Sequence, residues 1–409
     1  MIGDSAAPGG ARLDLMNREW TERAPDPGSW ARWNPAPEPG GGRYTLGIEE
    51  EVMLLEPASL ALAYRSDRVL AELPAALTRH MSLETHAAVV EVATGVNGEV
   101  EGAAGELAGL RGRLTDELRE MELVPACAGM HPLEGNAPSG VSTAARYRLL
   151  ESSLRLLAHR EPTMALHVHV GVPDPEDAVR VMNRLRETVP VLLALSANSP
   201  FLHGRDGGFA STRTLIFGGF PRTGTPRRFG SYSEYVASID ALITSGAVPD
   251  PTFFWWDVRL QPRLGTVEVR VMDAQSRVAD TAGLAALVQS LARLELEGEP
   301  PRCRATPEIL SENCFLAARD GVDARLVDPV AETLVPLRTT LRSLIAECRP
   351  HAGALGCADQ LDEVRRLGAD NGAVRQRRRA RAHRQVAPVV ADLVGDFTSP
   401  AVHPLTHDA

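Results

Sequence analysis

The sequence predicts an α+β fold, a mostly antiparallel sheet with helices packed against it. Three observations predict it. Short β-branched runs are separated by helical stretches, the pattern of a sheet assembled from distant segments. Two of the runs, 255–261 and 266–273, are joined only by Pro262-Arg263-Leu264-Gly265, a hairpin turn, which favours antiparallel pairing over a doubly wound sheet. Three runs alternate, so that charged or imidazole side chains share one strand face: Glu49 with Glu51, His167 with His169, and Glu268 with Arg270.

Taken in order, residues 1–42 are rich in Pro and Gly and end in Pro37-Glu38-Pro39-Gly40-Gly41-Gly42. They read as a largely disordered extension, with Trp20, Trp30 and Trp33 able to dock onto the body or a partner. From Tyr44 the pattern turns to strand, and Ser66 caps a helical stretch to about Leu77. A strand near 87–94, a helix near 98–122 and a strand near 123–129 follow, then a helix over 143–159 with Arg146 and Tyr147 near its start. The strand 163–172 leads into a long apolar helix ending at Ala197. Residues 198–230 form a loop dense in Gly, Arg and aromatics, and loops of that length inside a domain usually carry function. A helix over 231–244 precedes the hairpin. The chain then reads as all helical from about 279 to 397, so that 43–397 is one domain and 398–409 a tail.

With 409 residues, 44% hydrophobic and 23% charged, the composition is that of an ordinary globular protein. A net charge of −10 argues against nucleic acid as partner. All 43 basic positions are arginine. The absence of lysine excludes a Walker-type lysine, a protein-kinase lysine, a Schiff base and a pyridoxal anchor. Any phosphate must be held by Arg, backbone N–H groups or metal. Five cysteines without CxxC spacing argue against a zinc ribbon or disulfide framework, and a reducing cytoplasm is the expected location. No apolar run approaches a membrane span, and the N-terminus has no signal-peptide core.

Glutamates in a strand flanked by Leu46, Ile48, Val52, Leu54 and Leu55 need partners that solvated edge glutamates would not. Glu91 sits in an equally apolar run, Ala88-Val89-Val90-Glu91-Val92-Ala93. His167-x-His169 alone is equally compatible with core histidines. Asp257 and Arg259 share the face of Glu268 and Arg270, placing four charges on one hairpin where a surface ion pair would leave two. Carboxylates and imidazoles lining a sheet call for a divalent metal with bound phosphate, and Glu49, Glu51, Glu91 and Glu268 together suit two or three Mg²⁺ ions. The run Arg375 to Arg381 reads as a solvated helix face or subunit contact in preference to a phosphate contact.

These segments resemble family 2 of the glutamate–cysteine ligases, the carboxylate–amine ligases of the YbdK type. The resemblance is carried by GIEEEVMLL (47–55), HVHVGVPD (167–174), ALSANSPF (194–201), GFAS (208–211), WWDVR (255–259) and GTVEVRVMD (265–273), with weaker echoes at 312–321 and 372–379. It spans about 44–395. It implies an open, curved antiparallel sheet with helices on its convex side, similar in design to glutamine synthetase. It implies that Mg²⁺, or Mn²⁺, holds ATP, that a small-molecule carboxylate takes the γ-phosphoryl group, and that an amine displaces phosphate from the acyl phosphate. By matching position, Glu49, Glu51, Glu91 and Glu268 are implied metal ligands, with His167 and His169 as further ligands or phosphate contacts. Arg259 and Arg270 would neutralise charge in phosphoryl transfer, while Arg146, Tyr147 and Arg213 would contact substrate. The physics agrees, because phosphoryl transfer needs positioning and cations, and the 198–230 loop could keep water from the intermediate. Departures fall at 85–90, Leu202-His203 and Asn313-Cys314-Phe315, which points to altered substrates. The rival readings are an ATP-dependent guanidino or carboxylate kinase on the same scaffold, a zinc hydrolase using His167 and His169, and a non-catalytic binding protein. No nucleic-acid or membrane partner is expected, and a homo-oligomer is left open.

Overall fold

Every residue of the ten-residue strand β1 (Leu46–Leu55) is buried, so both of its faces must be covered. A computed structural model describes residues 28–34, 42–134, 140–299 and 305–399. In it β1 is joined by β2 (Met81–Leu83), β3 (Val89–Ala93), β4 (Val124–Ala126), β5 (Ala165–Gly171), β6 (Val258–Gln261) and β7 (Thr266–Asp273). The order is β6-β7-β5-β1-β3-β2, with β4 paired to the far end of β1, and every pairing is antiparallel. The register sets Glu51 opposite Glu91, Glu49 opposite His167, His169 opposite Glu268, and Glu268 opposite Arg259. Side chains alternate faces, so one sheet face carries these charged groups and the other carries Ile48, Val52, Val90, Val92, Val168, Val170, Val267 and Val269. A register shift against β5 between Val269 and Met272 leaves Arg270 and Val271 outside that ladder.

The helices are α1 (Ser66–Glu72), α2 (Ala75–Thr78), α3 (Val100–Glu120), α4 (Ala145–Leu154), α5 (Pro175–Ser196), α6 (Thr212–Phe217), α7 (Tyr232–Thr244), α8 (Val278–Glu297), α9 (Pro307–Asp320), α10 (Leu337–Ala354), α11 (Ala358–Leu367), α12 (Gly372–His383) and α13 (Ala387–Thr398). The aliphatic sheet face is covered by α3, α5 and α8. In α3 the stripe Val100, Ala103, Leu107, Leu110, Leu114 and Leu118 is buried at helical spacing. α8 is buried nearly all round because α3, α5, α10 and α11 also pack on it. The middle glutamate of β1, Glu50, points to this helical side. It accepts from Arg111 Nε at 2.9 Å and Nη2 at 2.6 Å, and from Thr281 Oγ1 at 2.6 Å. No helix among the described residues is long and apolar enough to cross a membrane.

The antiparallel α+β architecture, the hairpin turn with Gly265 at positive φ, and the helical covering agree with the sequence reading. Four readings are corrected. Gly28–Asn34 lie inside the stretch read as disordered, yet Trp30 is 2% exposed and its Nε1 donates to Asp240. Trp33 Nε1 donates to the Val172 carbonyl at 3.0 Å, and Asn34 N–H to that of Pro262 at 2.8 Å. Indole burial orders this piece in spite of its composition; residues 1–27 and 35–41, with Trp20, lie outside the described residues, as do 400–409 of the tail. The loop 198–230 contains α6 and a short pair, Phe201–Leu202 with Arg205–Asp206. The helical C-terminal part is interrupted by a hairpin, Arg325–Asp328 with Thr333–Pro336. The helix read over 143–159 ends at Leu154 and continues as a 3-10 turn. Cys127, Cys314, Cys348 and Cys357 are free; Cys303 lies outside the described residues.

Candidate active site

Four neighbouring strands bring the predicted acids and imidazoles into one buried cluster. His167 Nδ1 lies 3.2 Å from Glu49 Oε2 and 3.9 Å from both Glu91 Oε2 and Glu268 Oε1. Its Nε2 lies 3.8 Å from Glu51 Oε1. His169 Nε2 lies 3.3 Å from Glu49 Oε1, and its Nδ1 is 3.0 Å from Thr266 Oγ1. The candidate ligand atoms of Glu49, His167 and Glu268 all fall within 4.8 Å of one another, and so do those of Glu51, Glu91 and His167.

The cluster has two electrostatic halves. In the first, Glu268 is fully buried and accepts from Arg259 Nε at 2.5 Å, from Gln261 Nε2 at 2.7 Å, and from Arg270 Nη1. Burial would raise its pKa, but Arg259 and Arg270 hold it well below the ordinary carboxylate value. Glu49 is likewise held low, with burial outweighed by His169 and His167. In the second half, burial and the nearby Glu84 push Glu51 up to about 8, although the Ala165 N–H donates to it at 2.7 Å. Glu91 is pushed well above the ordinary value by burial and by Glu49, Glu84 and Glu51, while Ser82 Oγ donates to it at 2.9 Å. Burial and then Arg270 lower His167 to about 4, leaving a neutral ring at neutral pH. The Nε2 atoms of His167 and His169 are buried without a hydrogen-bond partner.

The substrate-side predictions lie at the rim. Tyr147, near the start of α4, donates from its hydroxyl to the Leu83 carbonyl. Arg146 Nη1 donates to Thr252 Oγ1 at 2.7 Å. Both act electrostatically at the Glu84 end of the cluster. Arg213, on α6, donates from Nη1 to the Val271 carbonyl at 3.0 Å and from Nη2 to that of Arg270 at 3.3 Å. Beside β7, a cavity of about 390 Å³ is lined by Arg213, Arg270, Asp257, Phe217, Trp255 and Cys314, among others.

Two residues escaped the sequence reading. Glu84 follows β2 in a turn where no alternation marks it, and only the pairing of β2 with β3 carries it to Glu91. Asp273 is fully buried at the end of β7 and accepts from the Asn198 N–H at 2.8 Å, Ser199 Oγ at 2.7 Å and Ser211 Oγ at 2.9 Å. It ties together the motifs ALSANSPF and GFAS. A Cβ at Gly129 would come within 2.5 Å of its carboxyl carbon, so a glycine is required there.

The sequence model of glutamate–cysteine ligase family 2 matches residues 45–394. A Rubrobacter xylanophilus protein provisionally named glutamate–cysteine ligase 2-1 is 38% identical over 365 residues, covering 89% of this chain and 97% of its own. A Thermobifida fusca protein provisionally named glutamate–cysteine ligase 2 is 34% identical over 369 residues, covering 88% and 92%. Among solved structures, glutamate–cysteine ligase of Francisella tularensis in complex with AMP matches with a TM-score of 0.64 at 13% identity, covering 90% of each chain. A bifunctional glutathione synthetase from Pasteurella multocida matches with a TM-score of 0.64 at 15% identity, covering 88% of this chain and 53% of that one. At such identities the likeness is one of fold.

Proposed function

The chain belongs to glutamate–cysteine ligase family 2, and from that premise we propose that it joins a small carboxylate, with glutamate the first candidate, to an amine through an acyl phosphate. It is an ATP-dependent carboxylate–amine ligase. The observation that carries the finer reading is the divided charge of the sheet face, with crowded carboxylates at Glu51, Glu84 and Glu91 beside guanidinium groups at Arg259 and Arg270. Crowded buried carboxylates with raised proton affinity call for cations. The carboxylate-rich donor sets, with the His167 and His169 Nε2 atoms set beside Glu51 and Glu49, fit Mg²⁺ or Mn²⁺. Glu51, Glu91, Glu49, Glu268 and His167 would hold the metal, with His169 and Glu84 alongside; when bound it supplies charge neutralisation to the ATP phosphates.

Arg259 and Arg270 do the rest. Their donors are aimed at Glu268 and lie where a γ-phosphoryl group over the same face would share them. The substrate carboxylate oxygen attacks phosphorus, the bond to the ADP oxygen breaks, and the amine nitrogen then replaces phosphate on the acyl carbon. Burial of Glu49, Glu51, Glu91, His167, His169, Arg259 and Glu268 limits the water that can reach that intermediate. The test is ligation with a carboxylate labelled in heavy oxygen. One labelled oxygen in the released phosphate is expected; label wholly retained in the product would refute the acyl phosphate.

A further inference from the structure

We propose that the cavity beside β7 receives the amine substrate, and that the Asp257 carboxylate binds its ammonium group and takes the proton that must leave before attack. The inference rests on the ligase reading above. Asp257 precedes β6 and stands opposite Arg270 across the hairpin, where the Arg270 N–H donates to the Asp257 carbonyl at 2.8 Å. Alternation therefore puts its side chain on the face of Arg259 and Glu268, one position nearer the cavity. There it is lined up with Arg213, Phe217, Trp255, Leu310 and Cys314.

The carboxylate is under-supplied. Thr225 Oγ1 donates to Oδ2 at 2.9 Å, and among the described residues no arginine comes within ion-pair distance. The charged groups that face it are Arg270 from β7 and Arg213 from α6, with the Cys314 thiol of α9 also near. A half-buried carboxylate with one neutral donor is left short of partners unless it meets a cation or a proton. Burial raises its pKa to about 6, which suits a base that works near neutrality. The same cavity is lined by the guanidinium groups of Arg186, Arg213, Arg227 and Arg270. A ligand bearing both an ammonium and an acid group matches a carboxylate set among these arginines, so an amino acid fits this cavity better than a simple alkylamine.

The step balances without further reagents. The ammonium gives one proton to Asp257, the free amine forms the C–N bond, and the C–O bond to phosphate breaks. The second nitrogen proton leaves with the phosphate.

Hydroxylamine discriminates, because it is unprotonated at neutral pH and needs no base. Wild type and Asp257→Asn are compared across the twenty amino acids as carboxylates, with either amino acids or hydroxylamine as the nitrogen source. Melting curves establish that the variant is folded, and Asp257→Glu restores a carboxylate. We expect amide formation to fall about 100-fold in D257N while hydroxamate formation stays within about threefold, with partial recovery in D257E and a loss that deepens as pH falls. Equal loss of both products, no loss of either, or a change confined to the KM for ATP would overturn the assignment. Silence of wild type with hydroxylamine across every carboxylate would instead refute the ligase reading, and this inference with it.

Discussion

Three consecutive glutamates in β1 perform two different jobs, because alternation sends them to opposite faces. Glu49 and Glu51 face the charged cluster, and Glu50 is locked by Arg111 on the helical side. Removing one partner of that buried pair strands the other, so Glu50→Gln should destabilise the fold by about 3–5 kcal/mol in urea titration. Glu51→Gln should do the reverse, abolishing ATP turnover while leaving the metal-free protein at least as stable as wild type. If E50Q melts like wild type, the structural role assigned to Glu50 is wrong. At this scale the sequence was informative where alternation held, since Glu49, Glu51, Glu91, His167, His169, Glu268, Arg259 and Arg270 all reach one cluster. It was silent at Glu84, whose approach depends on a turn, and at Asp273, whose partners lie 62–75 residues away in the chain.

Among the elements, the β6–β7 hairpin carries more of the site than any other, and it is braced from outside. Gly28–Asn34 meets its turn through Asn34, bonded to Pro262 and Arg263, and is held on α7 by buried Trp30 and by the Tyr232 hydroxyl donating to the Ala31 carbonyl at 2.5 Å. Trp30→Ala removes a large buried side chain and should cost about 3–5 kcal/mol by urea titration. Loss below about 1 kcal/mol would mean that the segment is not docked in solution. Composition concealed this element, because Pro and Gly density marks the neighbouring residues while the burial of Trp30 and the half-burial of Trp33 depend on the distant surfaces they meet. The Arg325–Pro336 hairpin escaped for a related reason. Its two four-residue strands pair only with each other and lie between long helices whose 3.6-residue periodicity dominates the region.

For the whole molecule, the sheet is organised around a charge imbalance that the protein alone leaves unresolved. Glu51, Glu84 and Glu91 all bind protons more tightly folded than unfolded, Glu51 to about 8 from an ordinary 4.5. Between those values the folded state holds protons that the unfolded state has released, so metal-free stability falls as pH rises through that window. Adding Mg²⁺ should raise the melting temperature more at pH 8 than at pH 6, as calorimetry would read; equal effects at both would contradict the assignment of the cluster as a cation site. The most direct test of the central claim is ADP release by purified protein with Mg²⁺ and ATP, across amino acids supplied singly and in pairs, for wild type beside folded Glu49→Gln and Glu268→Gln. ADP is expected only with a particular pair, matched by a condensed product in the mass spectrum, and absent from both variants. ADP release that continues in both folded variants would show that this sheet face is not where ATP is consumed.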